Sequence, residues 1–188
     1  MAQRARTRWW VAGVLMTLAL GGVARAAVVL PLTVEELARR ADAVVRGVAG
    51  ETRPIRSADG RQIHTVTTIE VDLALKGGPP LTLEVLTPGG TWGDLSQTVT
   101  GAPSFRQGER VILFLRSLGP RRFRVEGLAL GKFEVVTDAQ GDCQVVRRTE
   151  GIQLAEPDGA IRPAPQIGPI PERDFLNQVR AALTLRAP

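Results

Sequence analysis

Catalysis needs side chains that can attack, move a proton or hold a metal, and this chain of 188 residues offers few of them. It has one histidine, His64, and one cysteine, Cys143. No two-histidine zinc site and no metalloprotease helix with paired histidines can be assembled from that inventory. A Ser-His-Asp or Cys-His centre would have to recruit His64 as its base. His64 falls on the polar face of an alternating stretch together with Glu70 and Asp72, so it reads as a surface histidine. Glu70 and Asp72 share that face at a two-residue spacing and could form a carboxylate pair of the glycosidase kind. Such a pair equally suits a solvated strand face, and beyond residue 26 the chain has one tryptophan and no tyrosine to line a sugar cleft. Gly89-Gly90-Thr91-Trp92-Gly93 is glycine-rich but lacks the lysine and the following helix of a phosphate cradle. The expectation is a protein that is not an enzyme and that uses no cofactor and no metal.

Two stretches are better suited to binding. Sixteen residues, Pro88 to Pro103 (PGGTWGDLSQTVTGAP), separate two strand-like runs, and connections of that length are usually functional or disordered. Trp92, with Asp94 close by, sits among glycines there. It reads either as an anchor for a partner, because tryptophan is enriched at interface hot spots, or as a lid on one end of a barrel; the burial habit of tryptophan favours the lid. Arg116, Arg121, Arg122 and Arg124 cluster around a hairpin tip. They suit an anionic partner, or a solvated turn whose charges keep strand edges from pairing. Cys143 could bridge to another chain, although an incidental thiol beside a turn is the simpler reading.

The elements that must position these residues follow a leader. Arg4, Arg6 and Arg8 precede an apolar run from about Trp9 to Leu20, and Ala24-Arg25-Ala26 is a small-x-small cleavage site, the pattern of a secretory signal peptide over residues 1–26. The run is short for a membrane span, which needs about 20 apolar residues, so no stable membrane anchor is expected. Loss of the leader removes four arginines and no acid, and lowers the net charge from +5 to +1. Much of the basic excess that would suggest nucleic acid therefore belongs to the discarded segment. The expected location is periplasmic or extracellular, and nothing in the sequence specifies an oligomeric state.

After the leader, Leu32-Thr33-Val34-Glu35-Glu36-Leu37 carries a capping box and a hydrophobic staple, which predict a short helix to about Arg40. Ala43 to Val48 then reads as a strand. Ile63 to Leu75 alternates over thirteen residues, with Ile63, Thr65, Thr67, Ile69, Val71, Leu73 and Leu75 on one face. Leu81 to Thr87 alternates again, and Val111 to Leu115 is apolar on both faces, as a central strand would be. Arg122 to Glu126, Lys132 to Thr137 and Cys143 to Arg148 complete six or seven strands with turn signals between them. That pattern predicts a mainly β chain, an antiparallel barrel rather than an open sheet with long edges. Pro157 to Pro171 holds five prolines and no period, and reads as an ordered or semi-rigid connector. Phe175, Leu176, Val179, Ala182 and Leu183 form one stripe of a C-terminal helix that would pack on the barrel. The resulting plan is a signal peptide over 1–26, a barrel domain over 27–156, the connector over 157–171 and the helix over 172–188.

The succession of a short amphipathic helix, ADAVVRGVAGE, the long TTIEVDLALKGG strand and GERVILFL resembles the netrin-like module of tissue inhibitors of metalloproteinases, an OB-type barrel of secreted proteins. The likeness covers roughly Thr33 to Val136. It implies an OB or netrin-like barrel and a secreted protein partner, with a protease as the partner it suggests. It does not extend to the inhibitors' mechanism, in which an N-terminal cysteine meets the catalytic zinc and disulfides brace the fold. Here residue 27 is an alanine with no cysteine near it. The expected function is thus a non-enzymatic binding module acting through barrel-end loops, with Trp92, Asp94, Arg116, Arg121, Arg122 and Arg124 as its contacts. The alternative is a barrel that binds an anionic glycan or cell-surface polymer. Nucleic acid is not an expected partner, because the stacking aromatics that single strands need are scarce.

Overall fold

The computed structural model describes residues 28–29, 31–149, 152–155 and 160–184; the leader assigned to residues 1–26 lies outside them. In chain order the elements are β1 (Val28–Val29), α1 (Val34–Arg40), β2 (Ala43–Arg56), β3 (Ile63–Lys76), β4 (Thr82–Pro88), β5 (Gly90–Trp92), β6 (Leu95–Gln97), β7 (Arg110–Ser117), β8 (Arg122–Val125), a 3-10 helix (Leu128–Gly131), β9 (Lys132–Thr137), β10 (Cys143–Arg147), β11 (Gln153–Ala155), β12 (Ile161–Pro163), β13 (Ile167–Pro171) and α2 (Glu172–Thr184).

Five strands close on themselves in the order β2-β3-β4-β8-β7 and back to β2. Four of the five pairings are antiparallel, while β4 and β8 run parallel through Glu84–Arg122 and Val85–Phe123. The wholly antiparallel barrel expected from the sequence is corrected here, and the reason is parity. A closed ring with an odd number of strands cannot alternate direction throughout, so one neighbouring pair must be parallel. The other strands counted toward the barrel, β9 and β10, lie outside the ring and extend the sheet from β7 through β9 and β10 to β13.

β7 is the hinge of this arrangement. One edge pairs with β2 over Arg110 to Leu115, and the other is shared, with β9 along Val111 to Leu113 and β8 along Leu115 to Ser117. Because successive side chains leave a strand on opposite sides, Val111, Leu113 and Leu115 fill the barrel with Val45, Ile69, Leu83 and Val85. Ile112 and Phe114 point the other way into a second core, where they meet α1, α2, Phe133 and Val145. This explains why β7 is apolar on both faces. Three phenylalanines build the second core, with ring centroids 5.7 Å apart for Phe114 and Phe133 and 4.6 Å for Phe133 and Phe175.

The helix α1 is capped as its sequence predicts. The Glu36 backbone N–H donates to Thr33 Oγ1 at 3.2 Å, the Thr33 N–H donates to Glu36 Oε2 at 2.9 Å, and Leu32 and Leu37 are both buried in the second core. Lys76 closes the other end, donating to the Ala38 and Arg39 carbonyls at 2.7 and 3.2 Å, which satisfies acceptors left open at a helix C-terminus. The stripe Phe175, Leu176, Val179, Ala182 and Leu183 of α2 packs into the same core. β3 carries the expected alternation, but bulges in its pairing with β2 turn its middle and its last residues to different cores: Ile69 and Val71 face the barrel, Leu73 and Leu75 the helices. Two strands form within the proline-rich stretch. β12 pairs with β11, and β13 pairs with β10 at the end of the sheet, where prolines are tolerated.

Candidate binding site

The sixteen-residue connection from Pro88 is ordered. β5 and β6 pair with Trp92 opposite Leu95, so Gly93 and Asp94 form a two-residue turn, and Gly93 takes φ +57 as such turns require. The hairpin is tied to the barrel where β3 begins. Gly89 N–H donates to the Ile63 carbonyl at 2.8 Å, Ile63 N–H donates to Gln97 Oε1 at 2.7 Å, and Thr65 Oγ1 donates to the Gly89 carbonyl at 2.8 Å. Gly90, at φ +133, lies against the Thr65 hydroxyl where a side chain would collide. Below the hairpin lies a cleft of about 310 Å³ lined by Thr52, Thr65, Thr67, Thr87, Ser104 and Phe105 among others. The loop backbone therefore covers this barrel end, while Trp92 is 44% exposed and Leu95 56% exposed. The expectation that the indole acts as a buried lid is not met, because the backbone at Gly89 and Gly90, held against Ile63 and Thr65, closes this barrel end and leaves the indole exposed on the hairpin. Asp94 is exposed at the tip.

The four arginines are brought to neighbouring positions on β7, β8 and their turn, but they differ in what they do. Arg116 donates to the Arg40 carbonyl at 2.6 Å and lies 3.5 Å from Asp42 and 4.0 Å from Glu126, so it ties the end of α1 to β7. Arg122 holds Glu84 at 2.8 Å, and Arg53 holds the other oxygen of the same carboxylate at 2.8 Å. Those bonds, Arg122's first and Arg53's second, keep the Glu84 carboxyl below the ordinary carboxylate range. Arg121 reaches the Thr82 carbonyl at 3.4 Å. Only Arg124 of the four has no acid or carbonyl within reach among the described residues.

Arg124 lines a groove of about 530 Å³ that no stretch of the sequence foretells. Its walls are mainly apolar, from Leu86, Pro88, Pro103, Leu118, Val125 and Leu128, and His64 stands at one side. The groove lies where the barrel seam opens: β4 and β8 pair only at Glu84–Arg122 and Val85–Phe123, yet β4 continues to Pro88 and β8 to Val125. Leu128 adopts φ +57, a left-handed conformation that a bulky residue rarely takes and that costs roughly 1–3 kcal/mol. The groove combines apolar area, one uncompensated guanidinium and backbone strain, which is the make-up of a binding site. No local motif announces it, since its residues come from β3, β4, β8, three loops and the start of the 3-10 helix and meet only after closure.

Several other titratable groups are tied into the structure. Glu70 and Asp72 are exposed on the outer face of β3, and Asp72 is held by Arg46 at 2.7 Å, so the two carboxylates share no cleft. Arg46 also binds Glu172 at 2.8 Å and fastens the start of α2. Cys143 accepts a hydrogen bond from Arg110 at 3.3 Å. Lys132 is nearly buried, donating to Glu109 and to the Ser104 carbonyl at 2.6 Å each and lying 3.5 Å from Glu134. Burial alone would raise the Glu134 carboxyl, but the Arg148 hydrogen bond and the charges of Lys132 and Arg148 outweigh it and hold it below the ordinary range. Arg147, only 3% exposed, has no carboxylate partner among the described residues; it reaches the Leu32 and Pro165 carbonyls at 3.5 and 3.3 Å and lies 5.6 Å from the Phe133 ring centre. Among the described residues, no three His, Cys, Asp or Glu side chains are grouped to hold a metal ion, and no helix is long and apolar enough to cross a membrane. Neither a protein-family model nor a curated protein matches this sequence, so the function must be argued from the geometry.

Proposed function

We infer that this protein is an exported, non-enzymatic binding module that recognises a protein partner through one end of its barrel. The observation that carries the reading is the pair Trp92 and Leu95, side by side and solvent-exposed on a hairpin that three hydrogen bonds fix to β3. Exposed aromatic and aliphatic side chains on a rigid support lose little entropy on binding, and tryptophan leads the residues that dominate interfaces. Export is supported by the leader pattern of residues 1–26. The ring order, first-second-third-fifth-fourth, is compatible with an OB-like barrel and so supports the netrin-like resemblance, and a secreted protease is the partner that resemblance suggests.

The test is affinity capture from the host's own exported proteins, with bound proteins identified by mass and the eluate assayed for proteolysis. A stoichiometric protein partner that Trp92→Ala releases, with unfolding unchanged, is the expected result. An anionic glycan or polymer is the second reading, favoured by Arg121 and Arg124, neither of which meets an acid among the described residues. It requires binding that weakens steeply with salt, and Arg116 and Arg122 are already neutralised by Asp42, Glu126 and Glu84.

A further inference from the structure

The seam groove is a second contact, separate from the exposed hairpin, and its chemistry specifies an occupant. We propose that the groove receives an extended apolar peptide segment by strand addition to β4, with Arg124 pairing to a single carboxylate of that segment. The inference rests on the binding-module reading and names the part of the partner that is bound.

Three observations converge. The first is the open edge. β4 pairs with β3 as far as Pro88, but on its other side pairing with β8 ends at Val85, so the last residues of β4 face the groove without a strand neighbour among the described residues. Pro88 carries no N–H, so this short edge offers chiefly carbonyl acceptors, to which an extended peptide can donate its own N–H groups while its side chains take alternate pockets. The second is the wall composition: Leu86, Pro88, Leu118, Val125 and Leu128 offer aliphatic contact, and Leu118 is itself about half exposed. Leu128 is held there in a left-handed backbone, a strain that gathers at ligand clamps.

The third is charge. Arg124 is the one cation in the lining, and the one carboxylate, Glu126, is turned toward Arg116 at 4.0 Å. One uncompensated guanidinium matches one carboxylate, which it can grip with two parallel N–H donors. A polyanion would find the second charge unanswered and Glu126 opposing it.

The experiment uses three fluorescein-labelled peptides titrated against the purified protein: Val-Ala-Val-Leu with a free carboxyl terminus, the same peptide as its carboxamide, and a carboxamide with glutamate as its third residue. The expected result is that at least one acidic peptide binds about tenfold to a hundredfold more tightly than the plain carboxamide, the span of one charge-assisted pair. The tighter of the two acidic peptides assigns the carboxylate to a chain terminus or to a side chain. Arg124→Gln should remove the difference, whereas Arg121→Ala and Trp92→Ala, both outside the groove, should leave it. Amide shifts on β4 beyond Val85 should accompany binding. Equal affinity for all three peptides, equal losses in Arg121→Ala and Arg124→Gln, or binding of dodecanoate without any peptide would overturn the proposal. If the peptides fail while partner capture survives, the groove assignment falls alone; if capture fails while peptides bind, the hairpin reading falls alone.

Discussion

The barrel interior and the helix-covered core share β7, yet they are filled differently. Inside the ring the buried side chains are aliphatic apart from Phe123. Outside it, Phe114, Phe133 and Phe175 touch, and a buried arginine lies against them. A ring of five hydrogen-bonded strands has its radius set by backbone geometry and admits only side chains that fit a fixed bore. The outer core is bounded by α1, α2 and the β9–β10 extension, whose distance from the barrel is set by the side chains themselves. Bulky rings and a stray cation can therefore be accommodated on the side where the wall can move. The same strand thus samples a rigid and an adjustable environment at alternate residues.

Substitutions on either side of β7 separate the two regions. Phe133→Ala removes the ring that joins Phe114 to Phe175 and should cost about 3–5 kcal/mol in urea unfolding. Leu113→Ala, inside the barrel, should cost about 2–5 kcal/mol, and toward the upper part of that range because the ring cannot collapse onto the cavity. A loss in Leu113→Ala as large as that in Phe133→Ala, although the deleted side chain is smaller, would show the outer wall to be the more adjustable one. Arg147→Met should leave stability unchanged or raise it by about 1–2 kcal/mol, since a buried guanidinium with no carboxylate partner among the described residues gives way to an apolar side chain of similar length; a large loss would show the outer core to depend on its cation. Thr33→Ala should cost about 1 kcal/mol through the lost cap of α1, seen as a lower midpoint with an unaltered slope.

Acid tests the outer region in another way. The Glu134 carboxyl is held below its ordinary value, so its contribution is present above the ordinary carboxylate range and is lost as pH falls through and below it. Glu134→Gln should flatten the fall in stability between pH 5 and pH 3, roughly the window in which carboxylates titrate. Smallest of all, Trp92→Ala should change stability by less than about 0.5 kcal/mol, because its ring is exposed.

Much of the frame was legible because it is periodic. The alternation of β3 and β4, the two-sided β7 and the Thr33–Glu36 box all appear in the structure where the residues placed them. What escaped was set by tertiary partners. β5 and β6 hide in a glycine-rich loop too short in period to read, and β12 and β13 hide among prolines that only an edge position permits. The arginine cluster was visible, but its neutralisation was not, since Asp42, Glu84 and Glu126 arrive from other elements. The groove depends on a seam that exists only once β8 has inserted beside β4.

The chain carries twenty-two arginines and two lysines, and both lysines are tied down, Lys76 on the carbonyls that end α1 and Lys132 between Glu109 and Glu134. Guanidinium groups keep their protons through the range in which lysine amines lose theirs, so the positive charges of the molecule persist in alkaline media. Acylating or crosslinking reagents that seek side-chain amines would find only groups the fold has already claimed, and would loosen the end of α1 or the approach to β7 before they marked any outer face.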